Sequence, residues 1–237
     1  ITNFNERHNG RLFYNTGKRI NNGLVRLGHS VLELSDRDVV SNHRKLTDLN
    51  GAKYLNNKLL SIISNYVPNI IILGHADLVD IKTLKIIKNY YPEIKISQWF
   101  LDRMDSHWIS NKKRFLDKLD IMDASFCTTS PNILKFPKTK LVYFIPNPVD
   151  ESFEILKNYK HKNLKNDVFF AMSHGVHRGV LKSGKFDERE NFINKLLKKL
   201  PNTKFDLYGL NGKQPVWADN FINSISQSKI GLNLSQG

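Results

Sequence analysis

The sequence predicts an α/β protein of two Rossmann-like, doubly wound halves, the second of them incomplete. Three observations point to this. Short apolar runs of strand length alternate with segments of helical apolar spacing, the order that builds a parallel sheet covered by helices on both faces. The strand-like runs are continuously apolar rather than alternating, as strands buried on both faces are. The alternation breaks once, at Pro146-Asn147-Pro148-Val149-Asp150, and then restarts.

The elements follow in order. From Tyr14 to Gly28 apolar residues recur at helical intervals (Tyr14, Ile20, Leu24, Leu27), and Gly28 is a natural stop. Ser30–Ser35 reads as a short strand through Val31, Leu32 and Leu34. Tyr54–Tyr66 returns to helical spacing through Leu55, Leu59, Ile62 and Ile63. Asn69–Leu73, a β-branched run between Pro68 and Gly74, reads as a buried strand. A helix over Lys82–Tyr91 ends before Pro92, and Lys95–Leu101 is the next strand. Ser110–Leu119 is helical, and Ala124–Thr128 and Leu141–Ile145 are strands. Two prolines within three residues cannot sit in a central strand, so the segment that follows is a boundary or hinge. Beyond a lysine-rich stretch come a strand (Val168–Met172), a helix (Glu190–Leu200) and a strand (Lys204–Tyr208). A helix (Trp217–Ser226) and a last strand (Ile230–Leu234) complete the series. The expected division is a first domain over 1–146, a hinge over 147–166 and a second domain over 167–237. The first half lacks most of an opening strand, whose tail would be Ile1–Thr2. The chain opens without methionine and stops straight after an apolar run, so the expectation is a piece of a longer chain.

Composition narrows the function classes. At 40% hydrophobic and 24% charged residues, the chain matches an ordinary globular protein. No apolar run approaches the ~20 residues that span a bilayer, and no signal peptide opens the chain. The single cysteine, Cys127, excludes an internal disulfide; it sits in an apolar run and reads as a small buried hydrophobe rather than a nucleophile. A reducing, cytoplasmic location fits. The net charge of +14 points to an anionic partner or to solvated lysine-rich faces. A nucleic-acid-binding module is the reading of a different class. Zinc-finger spacing, RNP-like strings and a concentrated basic stripe are all missing from the sequence, so no nucleic acid is expected.

Doubly wound sheets bind ligands in the loops at the carboxyl ends of their strands. The first such loop holds His8, Asn9, Gly10 and Arg11, where a glycine and a helix start can receive an anion; an ordinary polar loop is the alternative. The second, Gly74-His75-Ala76-Asp77, and the third, Asp102-Arg103-Met104-Asp105, place a histidine and carboxylates where a hydroxyl could be activated. Asp102 or Asp105 could instead cap the helix near Trp108. Zinc would need further ligands at workable spacing, and none stands out. The fourth loop, Ser173-His174-Gly175-Val176-His177-Arg178-Gly179, has the glycines and arginine of a diphosphate cradle, with a plain flexible loop as the alternative. The fifth, Tyr208-Gly209-Leu210-Asn211-Gly212, could line a base or ribose in a nucleotide-binding half, or be a turn whose two glycines need no ligand.

Lys140-Leu-Val-Tyr-Phe-Ile-Pro-Asn-Pro-Val-Asp150 resembles the interdomain segment of group 1 glycosyltransferases of GT-B architecture, with Pro148 in place of the common glycine. Asp167–Ser173, Tyr208-Gly209 and Lys229-Ile-Gly-Leu-Asn-Leu-Ser235 are similar to the spore-maturation-type (CgeB-like) branch. The resemblance implies an amino-terminal acceptor domain, a carboxy-terminal donor domain and catalysis in the cleft between them. It implies a nucleotide-diphosphate sugar as co-substrate, a glycan or lipid-linked acceptor, and no required metal or other cofactor. Ser173, His174, Gly175, His177, Arg178, Gly179, Tyr208, Gly209, Asn233 and Ser235 would then serve the donor. His8, Asn9, Gly10, Arg11, Asp77 and Arg103 would serve the acceptor, with His75 and Asp102 catalytic. A donor-binding segment would lie beyond Gly237, so this stretch alone is expected to be inactive. Peripheral contact with an anionic inner membrane is a further expectation. A non-catalytic nucleotide-sugar or carbohydrate-binding relative is the alternative, and no pattern indicates an oligomeric state.

Overall fold

The computed structural model describes residues 1–105, 108–136, 139–173 and 187–234. It divides into two compact units, Ile1–Arg7 with Asn15–Val149, and His8–Tyr14 with Asp150–Gly237. Both are α/β with a parallel sheet.

In the first unit β1 (Ile70–Gly74), β2 (Lys95–Phe100), β3 (Ala124–Cys127) and β4 (Val142–Phe144) form a four-stranded parallel sheet in the order β1-β2-β3-β4. Gly74 lies opposite Trp99, and Phe100 opposite Cys127. On the free side of β1, Thr2 makes parallel bridges to both Gly74 and Ser35. The Gly74 amide donates to Ile1 O at 2.8 Å and the Thr2 amide to Leu34 O at 3.1 Å, so Ile1–Thr2 runs between the two. This matches the strand tail expected there. The predicted strand Ser30–Ser35 is a correction: only Ser35 bridges. A ladder needs a neighbour along its length, and Ile1–Thr2 reaches no further than Leu34–Ser35.

The helices are α1 (Thr16–Arg26), α2 (Asp36–Asn42), α3 (Ala52–Asn65), α4 (Ile81–Tyr90), α5 (Ile109–Leu116) and α6 (Pro131–Leu134). α1 starts where the Asn15 side chain accepts the Lys18 amide at 3.1 Å, satisfying one of the amide groups a helix start leaves unpaired. α3 shows why the periodicity was legible. Leu55, Leu59 and Ile63 recur every four residues, and all three are buried against Ile71, Leu73, Leu84 and Ile96. Each such side chain contributes about 1.5–3 kcal/mol on leaving water. A second cluster, with Phe100, Met104, Phe115 and Cys127 among its members, packs under α5.

In the second unit β5 (Asn166–Ala171), β6 (Phe205–Tyr208) and β7 (Ser228–Gly231) are parallel in the order β6-β5-β7. α7 (Glu188–Lys199) and α8 (Ala218–Ser226) connect them. α7 carries Glu188 and Glu190 in its first turn and Lys198 and Lys199 in its last, which complements the helix dipole at both ends. The last strand is shifted from its predicted span, because Ser228 already pairs with Asn166. Leu232 continues the pairing by donating to Phe169 O at 2.8 Å. Phe170, Met172, Ile193, Leu207 and Leu210 form the core.

Candidate functional site

Both sheets reverse direction once, and that reversal selects the loops that matter. In the first unit the chain leaves Thr2, returns beside it at Ser35, then crosses to β1 on its other side. The reversal therefore lies between the loops 3–7 and 75–77. In the second unit β6 and β7 flank β5 on opposite sides, so the loops after Met172 and Leu232 border the reversal.

His75 follows β1 with a backbone φ of 51°, a left-handed conformation unusual for a side chain of this size. Its ring stacks on Phe100 with centroids 4.1 Å apart and meets the edge of Trp99 at 5.6 Å. Its Nε2 accepts the Leu101 amide at 3.0 Å. An imidazole nitrogen that accepts a hydrogen bond cannot carry the proton, so in the neutral ring the proton sits on Nδ1. Nδ1 faces Asp102 Oδ2 at 3.6 Å. Burial holds the His75 pKa below its ordinary value; Asp102 and Asp77 oppose the shift, while Arg114 and Arg37 reinforce it. The Asp102 carboxylate is half-exposed, with His75 Nδ1 and the Arg114 guanidinium each 3.6 Å from its Oδ2.

Two arginines and a lysine close this group. Arg114 of α5 grips Asp77 in bidentate fashion, Nε to Oδ1 at 3.2 Å and Nη2 to Oδ2 at 2.6 Å. The same guanidinium lies 3.6 Å from Asp102 Oδ2 and 5.3 Å from the centre of the Phe100 ring. Arg37 approaches Asp77 at 3.5 Å. Lys118 donates to Ala76 O at 2.6 Å, and burial lowers its pKa although Asp77 and Asp36 oppose the shift. Asp36 is 1% exposed, with Oδ1 lacking a hydrogen-bond partner among the described residues, and burial raises its pKa. Arg103 pairs with Asp105, its Nε donating at 2.6 Å.

The first reversal loop is held by Asp38. Its carboxylate accepts the Glu6 amide at 2.9 Å, the Arg7 amide at 3.3 Å and Arg7 Nη1 at 2.8 Å, along with the Ser35 hydroxyl. Burial pushes its pKa upward, but these donors outweigh that and the net shift is downward.

His8, Asn9, Gly10 and Arg11 fall within the second unit. Arg11 Nε donates to His8 O at 3.2 Å, and its Nη2 lies 3.3 Å from His8 Nδ1. Arg11 O accepts the Ala218 amide at 3.2 Å, and the guanidinium carbon is 6.0 Å from the Trp217 ring centre. Tyr14 stacks on Phe221 with centroids 5.7 Å apart. Asn9 and Gly10 are exposed, both at positive φ.

Around the second sheet, the Tyr208 hydroxyl lies 3.2 Å from Ser224 Oγ on α8. Gly209 has φ 78°, and a Cβ there would sit 1.7 Å from Met172 O, so packing alone requires glycine. Ser173 is half-buried at the end of β5, and Asn233 is exposed beyond β7. His174, Gly175, His177, Arg178, Gly179 and Ser235 lie outside the described residues.

Sequence reasoning passed over Asp36, Arg37, Asp38, Arg114 and Lys118. The first three follow Ser35 at a strand end, the same signal that selected the other loops. Arg114 and Lys118 look like solvated helix charges in one dimension. Cys127 is buried, its thiol donating to Thr129 O at 3.1 Å, and burial pushes its pKa up to about 11. Among the described residues no cluster of His, Cys, Asp and Glu could hold a metal ion. A cavity of about 410 Å³ lies between segments 29–34 and 66–72 beside Ile1, with Phe4 and Trp99 also in its lining, and its walls are largely apolar. No protein-family model matches the chain, and no curated protein matches it.

Proposed function

We propose that the protein is a glycosyltransferase that moves a sugar from a nucleotide-sugar donor to a hydroxyl of a glycan or lipid-linked acceptor. The observation that carries this is the pair of α/β units, each with a parallel sheet whose strand order reverses once, and in the first unit with His75, Asp77 and Asp38 at that reversal. The resemblance of the Pro146–Asp150 segment to a GT-B hinge adds the reaction class. In this reading the first unit takes the acceptor and the second the donor. His75 Nδ1 and the Arg114 guanidinium each stand 3.6 Å from Asp102 Oδ2, and together they position that carboxylate. Asp102 takes the proton of the acceptor hydroxyl as that oxygen bonds to the anomeric carbon. The bond from that carbon to the donor diphosphate breaks, and the nucleoside diphosphate leaves with the electron pair. Arg178, backbone amides and helix amino termini would stabilise its charge.

The test is a screen of nucleotide sugars, made on the full-length protein, for acceptor-dependent release of nucleoside diphosphate. Asp102→Asn is expected to lower turnover by about 10²–10⁴-fold, the range for loss of a general base, with donor affinity unchanged. Equal turnover in the variant would remove Asp102 from the chemistry. A non-catalytic sugar-binding role is the second reading. The bidentate hold of Arg114 on Asp77 counts against Asp77 as a sugar contact in either reading, since a carboxylate so occupied has little left for a substrate.

A further inference from the structure

The connection between α2 and α3 ends in a built tip rather than a loose loop. The Lys45 and Asp48 backbones exchange two hydrogen bonds, at 3.1 and 2.9 Å, leaving Leu46 and Thr47 at the apex. The Asp48 carboxylate turns back onto the start of α3, accepting the amides of Tyr54 at 2.9 Å and Lys53 at 3.3 Å. His43 stacks on Tyr54 with centroids 3.8 Å apart and ties the base of the tip to the helix. This scaffold holds Leu46 95% exposed and Leu49 75% exposed. Two projecting leucines on a braced turn gain nothing from the protein's own core.

Charge says what they meet. Arg44, Lys45 and Lys53 are exposed around the leucines. The neighbouring residues Asp36 and Asp38 are 1% and 3% exposed, and the Asp48 carboxylate is engaged by backbone amides. The surface offered is therefore cationic with an apolar point, which suits a plane of anionic headgroups over hydrocarbon. We infer that Arg44–Leu49 is a membrane-docking tip that seats the first unit on a bilayer carrying anionic lipid. Leu46 and Leu49 enter below the headgroups while Arg44, Lys45 and Lys53 pair with phosphates above them. The inference does not rest on the proposed sugar transfer, because the docking is read without an acceptor.

Flotation of the whole chain with vesicles tests it, using phosphatidylcholine alone and phosphatidylcholine with phosphatidylglycerol in equal parts. The wild type floats with the anionic vesicles and not with the neutral ones. The charge-conserving variant Leu46→Ser/Leu49→Ser melts like the wild type and loses roughly tenfold or more in partitioning. Arg44→Gln/Lys45→Gln loses about fivefold per charge removed. The variant Leu46→Trp shifts its fluorescence emission to the blue on anionic vesicles. Undiminished flotation of the leucine-to-serine variant overturns the inference, as that would reduce binding to diffuse attraction by a basic protein. Equal flotation with both vesicle types overturns it, and so does an emission spectrum of the Leu46→Trp variant that anionic vesicles leave unshifted. A lipid-free oligomer that the leucine-to-serine variant dissolves overturns it in favour of a protein partner.

Discussion

At His75 a left-handed backbone, a largely covered ring and an accepted hydrogen bond combine to favour one protonation state. The folded protein holds this histidine neutral, with a pKa below the ordinary 6.5. Below that pH the unfolded chain takes up a proton that the folded chain refuses, so stability is full above about pH 6.5 and falls as pH drops beneath it. His75→Gln cannot titrate, and its melting temperature is expected to show a shallower acid limb than the wild type. Melting curves over that range check this; identical limbs would mean that His75 does not carry the dependence. Asp38 acts with the same sign at lower pH, since its folded pKa is also lowered. Its folded pKa lies below 3.8, so its contribution is present above that value and is lost only as pH falls through the folded pKa. Asp38→Ala strands the Glu6 and Arg7 amides and the Arg7 guanidinium, and is expected to cost about 3 kcal/mol in urea unfolding.

The sequence was most legible where an element depends on its own periodicity. Leu55, Leu59 and Ile63 marked α3, and the apolar run ending at Leu73 marked β1. α2 went unread because its seven residues, with only Val39 and Val40 apolar, are too short to establish a helical period. Residues 31–33 have strand composition without a ladder, since pairing depends on a neighbour that spacing does not reveal. The site was legible to the same degree. His75 and Asp102 stood out because they follow strands, and the structure brings them to 3.6 Å. Arg114 did not, because its reach to Asp77 depends on how α5 packs rather than on where it falls in the chain. The close approach of β5 and β6 at their carboxyl ends makes a further prediction for the element. Gly209→Ala adds an unfavourable left-handed backbone and a clash with Met172 O, and is expected to lower stability by at least ~2 kcal/mol. Denaturant melts of that variant test it, and an unchanged midpoint would mean the strand ends can separate freely.

For the whole molecule, a net charge of +14 attracts anions in general. Among the described residues no helix is long and apolar enough to cross a membrane. The charge alone would also attract nucleic acid, but attraction of that kind weakens steeply with salt. Binding to duplex DNA is accordingly expected to vanish as salt is raised to physiological strength, in a fluorescence titration at two salt concentrations. Retained affinity would favour a nucleic-acid role. Sugar transfer itself is tested most directly by incubating the full-length protein with a panel of nucleotide sugars and mixed hydroxyl acceptors while following nucleoside diphosphate release. The account predicts that one donor is consumed, that release depends on acceptor, and that Asp102→Asn lowers it by about 10²–10⁴-fold without weakening donor binding. Failure of every nucleotide sugar and every nucleoside diphosphate to bind, measured by calorimetry on the same folded protein, would contradict it.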